Sequence, residues 1–183
     1  MENTNSMKTV FGLSRDLALA VALGMSWQPS IAQIPGAGAV NNDDDKFMRS
    51  ASTGALMEVR MASLAQERGV RPEVRAYGKQ MTDAHSAINT GLRELAGRKG
   101  VALPSDVDGT QQKTIDELGK LTGTGFDDAF LDAMARAHQK DADEFENAAK
   151  NSKDPGVKGF AQKALPAIKA HLARVQALKK GGH

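Results

Sequence analysis

The 183-residue chain contains no cysteine. That single absence removes disulfides, thiolate metal sites and cysteine nucleophiles together, while leaving the compartment open. Aromatic residues make up only 4%. Alanine is abundant instead, and small residues let helices approach closely, which favours a helical bundle over a sheet protein. A dominant sign of charge is also missing. The 24 Lys and Arg are set against 22 Asp and Glu, a net charge of +2, so the chain lacks the basic stripe of a nucleic-acid binder. It carries no nucleophile elbow, phosphate loop or HExxH pattern, and Asp43–Asp45 lack the spaced ligands of a calcium loop. No motif marks it as an enzyme. The run Leu17–Met25 is well short of the ~20 apolar residues that span a bilayer as a helix, and no other segment is apolar enough.

The N-terminus is informative. Lys8 and Arg15 precede the apolar run LALAVALGM, and Ser30-Ile31-Ala32 then places small residues at −3 and −1 of a cleavage after Ala32. This order resembles a secretory signal peptide. With no cysteine after the apolar run, lipoprotein processing is excluded. The expected layout is a signal peptide over 1–32, a flexible linker over 33–45, a helical domain over 46–180 and a frayed tail over 181–183. The mature chain is expected outside the cytoplasm, in the periplasm or in association with the outer membrane.

Periodicity predicts four long helices. The first, from about Lys46 to Arg68, has the stripe Phe47, Ala51, Gly54, Glu58, Met61/Ala62, Ala65. Gly69 ends it and Pro72 opens the second, which runs to about Arg98 with the stripe Val74, Gly78, Met81, His85, Ile88, Leu92, Leu95. A connection over Val101–Gly125 follows, with a short helix expected at Gln111–Leu121 and a break at Thr122–Gly125. It is far longer than the 2–8 residues usual between neighbouring helices. The third helix, Phe126–Asn151, carries Leu131, Met134, His138, Asp141, Phe145 and Ala148 on one face. The fourth, Pro155–Lys180, carries Val157, Ala161, Ala164, Ile168, His171, Val175 and Leu178, with Pro166 expected to kink it one turn before His171.

The two halves repeat. Val74-Arg75-Ala76-Tyr77-Gly78 matches Val157-Lys158-Gly159-Phe160-Ala161 in character, and the same alignment sets Glu58 opposite Asp141. Two related hairpins joined by a long crossover is the layout of ferritin-like bundles. Residues equidistant from a hairpin turn share a level. Glu58 and His85 average to position 71.5, in the first turn, and His138 and His171 to 154.5, in the second. If the crossover puts the turns at opposite ends, both pairs meet near the midplane. The expected fold is therefore all-α, a ferritin-like four-helix bundle of two antiparallel hairpins joined by a long crossover with a short helix.

Polar groups on a buried stripe are costly unless something satisfies them. One reading is a metal site of His85, His138, His171 and Glu58, with Asp141 as ligand or neighbour, taking one transition-metal ion, Fe, Zn, Mn or Cu. The other is a structural network that fixes helix register in a non-catalytic envelope protein acting by protein contact or under stress. Met81 and Met134, each one turn before a histidine, suit copper as ligands or the core as filler.

Gly54-x3-Glu58-Val59, Met81-x-Asp83-x-His85, Phe126-Asp127, His138 and Ala164-Leu165-Pro166-x4-His171-Leu172 resemble the exported "domain of unknown function 4142" family over about Lys46–Leu178. The resemblance implies a ferritin-like fold in a bacterial periplasmic or outer-membrane protein, and no established activity. Di-iron members of the wider fold use Glu-x-x-His pairs. Here Thr82 and Ile168 stand three residues before His85 and His171, so the resemblance implies a mononuclear site or none.

Overall fold

A computed structural model describes residues 40–181. These form five helices: α1 (Asn42–Arg68), α2 (Pro72–Lys99), α3 (Gly109–Gly119), α4 (Gly123–Asn151) and α5 (Pro155–Lys180). There is no strand among the described residues. None of these helices is long and apolar enough to cross a membrane. The signal-peptide reading and most of the linker fall outside the described residues.

α1 pairs with α2 and α4 with α5. The hairpins then pack so that α1 lies beside α4 and α2 beside α5. Two apolar clusters show the chain direction. One joins the α1–α2 turn end, through Met61, Val74 and Tyr77, to the start of α4 at Phe126 and Phe130 and the end of α5 at Val175. The other joins the start of α1, through Phe47 and Met48, to the end of α2 at Leu95, the end of α4 at Phe145 and the start of α5 at Val157. The two turns therefore sit at opposite ends, and the segment between α2 and α4 crosses the length of the bundle, with α3 lying against α1 and α4.

Local chemistry explains where the helices begin. Asn41 accepts from the N–H groups of Asp43 and Asp44, so α1 starts at Asn42, four residues before the expected Lys46, and the three aspartates occupy its dipole-favoured first turn. α3 opens on a reciprocal Asp108–Gln111 capping box, two residues before the expected Gln111. Gly123, at φ +65, starts α4 inside the segment expected to break it. α5 runs through Pro166. Both Pro166 and Gln162 are exposed, so water can satisfy the carbonyl that Pro166 leaves without a donor. Gly78 is required by contact: a Cβ there would meet the Ala62 carbonyl oxygen at 2.7 Å, so no side chain fits where α2 crosses α1.

The repeat extends to the turns. Buried Asp127 at the start of α4 accepts from the N–H groups of Val70 and Arg71 in the first turn, at 3.0 and 2.9 Å. Buried Asp44 at the start of α1 accepts from the N–H of Asp154 in the second, at 3.1 Å. Asp44 and Asp127 are 83 positions apart, as are Glu58 and Asp141, and Val74 and Val157. Each hairpin thus holds the other's turn with an aspartate.

Candidate metal centre at the bundle midplane

Between the two apolar clusters lies a polar layer. Glu58 comes from α1, His85 from α2, His138 and Asp141 from α4 and His171 from α5, and all five are buried. The level-matching argument from the turns therefore describes the real geometry. The rings of His85, His138 and His171 form a triangle with centroids 5.1, 5.5 and 5.5 Å apart. Two triads have their ligand atoms within 4.8 Å of one another: the three histidines, and Glu58, His85 and Asp141. His85 belongs to both. Its Nδ1 faces Glu58 Oε2 at 2.8 Å, and its Nε2 faces His138 Nε2 at 3.3 Å.

The proton inventory is constrained. His138 Nδ1 lies 2.8 Å from the Met134 carbonyl oxygen. A carbonyl only accepts, so Nδ1 carries the proton and Nε2 is bare. If His85 donates its Nε2 proton to that nitrogen, its Nδ1 is bare and faces Glu58, which must then be protonated. If His85 carries its proton on Nδ1, two bare nitrogens face each other, and only a cation satisfies both. Glu58 Oε1 also lies 3.1 Å from His138 Nδ1. Neither ring N–H is aimed at the carboxylate, so Glu58 takes no hydrogen bond from a histidine, and His171 Nδ1 has no partner.

Burial sets the charges. It pushes Glu58 up to about 8, against a hydrogen bond with Asp141 and the charge of Lys140. It raises Asp141 well above the usual carboxylate range, with Glu58 adding to the effect. It lowers His85 and His171 to about 4 and His138 to about 3, the neighbouring imidazoles adding to the last two shifts. At neutral pH the histidines are neutral, in the form that ligates metals, and the carboxyl pair retains protons.

Several participants had no signal of their own in the sequence. The buried Tyr77 hydroxyl donates to the His171 carbonyl at 3.3 Å. Ser52 donates to Asn89 at 3.2 Å, which puts Asn89 in the core where Ile88 was expected. Asp127 clamps a turn. The Phe126-Asp127 motif and the 83-residue repeat, through Asp44, both mark it, and neither gives that role. Met81 and Met134 lie in the apolar cluster at the α1–α2 turn end, with Met61 and Phe126.

Residues 30–178 match the family model described as "Domain of unknown function (DUF4142)". No curated protein matches the chain. The fold is similar to the crystal structure of a DUF305 fragment from Deinococcus radiodurans, with a TM-score of 0.69 at 13% identity, over 78% of this chain and 99% of that one. At that identity the likeness speaks for the fold alone.

Proposed function

The chain belongs to the DUF4142 family, and from that premise we propose that its bundle binds a single transition-metal ion at the midplane, on His85, His138 and His171, with Glu58 and Asp141 beside them. One observation carries the reading. Both Glu58 oxygens and His171 Nδ1 are buried without a histidine or backbone N–H directed at them, Glu58 having only the carboxyl of Asp141 against it, and a cation is the kind of group that answers buried acceptors so placed. The 3.3 Å between the His85 and His138 Nε2 atoms supports it, since two imidazole nitrogens on one tetrahedral zinc stand about 3.3 Å apart given zinc–nitrogen bonds of ~2.0–2.1 Å. Three imidazoles with carboxylates suit Zn, Fe, Mn or Cu. Glu58 stands 2.8 Å from His85 Nδ1, the side on which a histidine ligand commonly has a carboxylate, while His138 Nδ1 donates to the Met134 carbonyl.

A second reading rests on the carboxyl pair. A proton held between Asp141 and Glu58, with His85 donating to His138, pairs four of the five groups and makes the layer a structural device that sets helix register in a non-catalytic envelope protein. Elemental analysis of protein purified from its native envelope, without chelator, separates the two. The metal reading expects about one ion per chain of one element. Protein free of metal, which also takes up none of Zn, Fe, Mn or Cu in excess, leaves the register reading alone.

A further inference from the structure

The polar layer is not sealed evenly. Between α1 and α4, roofed by α3, runs a groove of about 510 Å³ whose lining includes Gly54, Met57, Arg136, Ala137, Lys140 and the buried Asp141. Asp141, on the α4 side, is 5% exposed and His171, on α5, 7%, while Glu58 and His138 between them are 0% exposed; of these it is Asp141 that lines the groove. Its carboxylate is also one of the three groups, with Glu58 and His85, whose ligand atoms lie within 4.8 Å of one another. A path of oxygen and nitrogen donors thus leads from the groove to the histidine triad, through His85, whose Nδ1 faces the carboxylates and whose Nε2 faces His138. Gly54 makes the opening. A Cβ there would have Asp141 Oδ1 at 3.4 Å as its one neighbour within 4 Å, so the missing side chain leaves open the space in front of the carboxylate. No turn or helix crossing explains that glycine, which costs α1 about 1 kcal/mol of helix propensity relative to alanine.

We propose that this groove is the port through which a divalent cation exchanges between solvent and the midplane, with Asp141, Glu58 and His85 as the donors it meets first. This rests on the metal reading above. A cation sheds its water in steps, so a carboxylate at the mouth of a buried site replaces water ligands before the imidazoles do. The port controls the rate of loading and release and leaves the equilibrium affinity to the inner ligands.

The test uses Co(II), whose visible absorption reports tetrahedral nitrogen coordination, mixed by stopped flow with the whole mature chain and later with excess chelator. Gly54→Leu fills the groove from α1, and Ala137→Leu fills it from α4. Gly159→Leu, on the exposed face of α5 with nothing within 4 Å, is the control. Both groove variants should load and release at least tenfold more slowly, with affinity within about threefold of the parent and unchanged far-ultraviolet circular dichroism. The control should match the parent. Parent-like rates in a folded groove variant overturn the port and leave the metal reading standing. A parent that develops no Co(II) spectrum at all overturns the metal reading, and the port with it.

Discussion

His85 Nε2 and His138 Nε2 face each other at 3.3 Å across the bundle, bringing together α2 and α4, which the long crossover separates in sequence. One of those nitrogens is bare because its ring keeps its one proton on Nδ1, which donates to the Met134 carbonyl. What lies between them, a proton or a metal ion, decides what this layer does.

Replacing His171 tests the metal directly. Metal that binds only the folded state raises the melting temperature of the parent by mass action. His171→Ala should lose most of that rise, while its metal-free stability falls by ~1–3 kcal/mol for the disturbed buried partners. Thermal melts of both proteins with Zn, Fe or Cu, and with chelator, give the answer. A parent curve that stays put under excess of each metal retires the metal hypothesis.

The pH dependence of the metal-free protein follows from burial. Glu58 holds its proton up to about 8 in the folded state, against 4.5 in the unfolded chain. The folded state therefore binds the extra proton between those values, so this contribution is full below 4.5 and is lost as pH rises through 8. Asp141 acts in the same direction. The histidines, at about 3 to 4 when folded and 6.5 when unfolded, act oppositely. Their contribution is full above 6.5 and is lost as pH falls. Between 6.5 and 8 only the carboxyls matter, and stability should decline by up to ~1.4 kcal/mol per pH unit for each proton released. Denaturant titrations of Glu58→Gln in chelator should show a slope smaller by about one proton. An unchanged slope would mean that Glu58 is not the group responsible.

Metal uptake should release protons. An ion among neutral imidazoles and a protonated carboxyl pair displaces the protons held there. Calorimetry in buffers of different ionisation enthalpy should give at least one proton released per ion at pH 7, with affinity increasing toward pH 8. Uptake with no proton release would show that the carboxyls take no part.

Asp127→Ala should destabilise the bundle by about 2–3 kcal/mol, because the N–H groups of Val70 and Arg71 and the Arg71 guanidinium lose their acceptor. Asp127→Asn, which keeps one oxygen, should cost less. Urea titration measures both, and an Ala variant within 0.5 kcal/mol of the parent (roughly the scatter of surface substitutions) would mean that the turn holds itself.

The export reading stands on Lys8, Arg15, the apolar run and Ala32. Mass spectrometry of native protein should find an N-terminus at or near Gln33, and an intact Met1 on a cytosolic species would sink it.

By itself, the sequence determined the helices, their buried faces and the level of each polar residue. Helical period and distance from a turn are local quantities, counted along one strand of chain. That was enough to bring Glu58, His85, His138, Asp141 and His171 to one layer. Helix starts were off where a single cap outweighed the period, as Asn41 and Asp108 show. The tertiary structure alone decided which nitrogen of each ring points where, and that Asp127 reaches over to the first turn. It alone decided that Gly54 leaves Asp141 open to a groove, and which acceptors go without partners. Those depend on rotamers and on distances between helices that meet only after the crossover closes, and no count along the chain contains them.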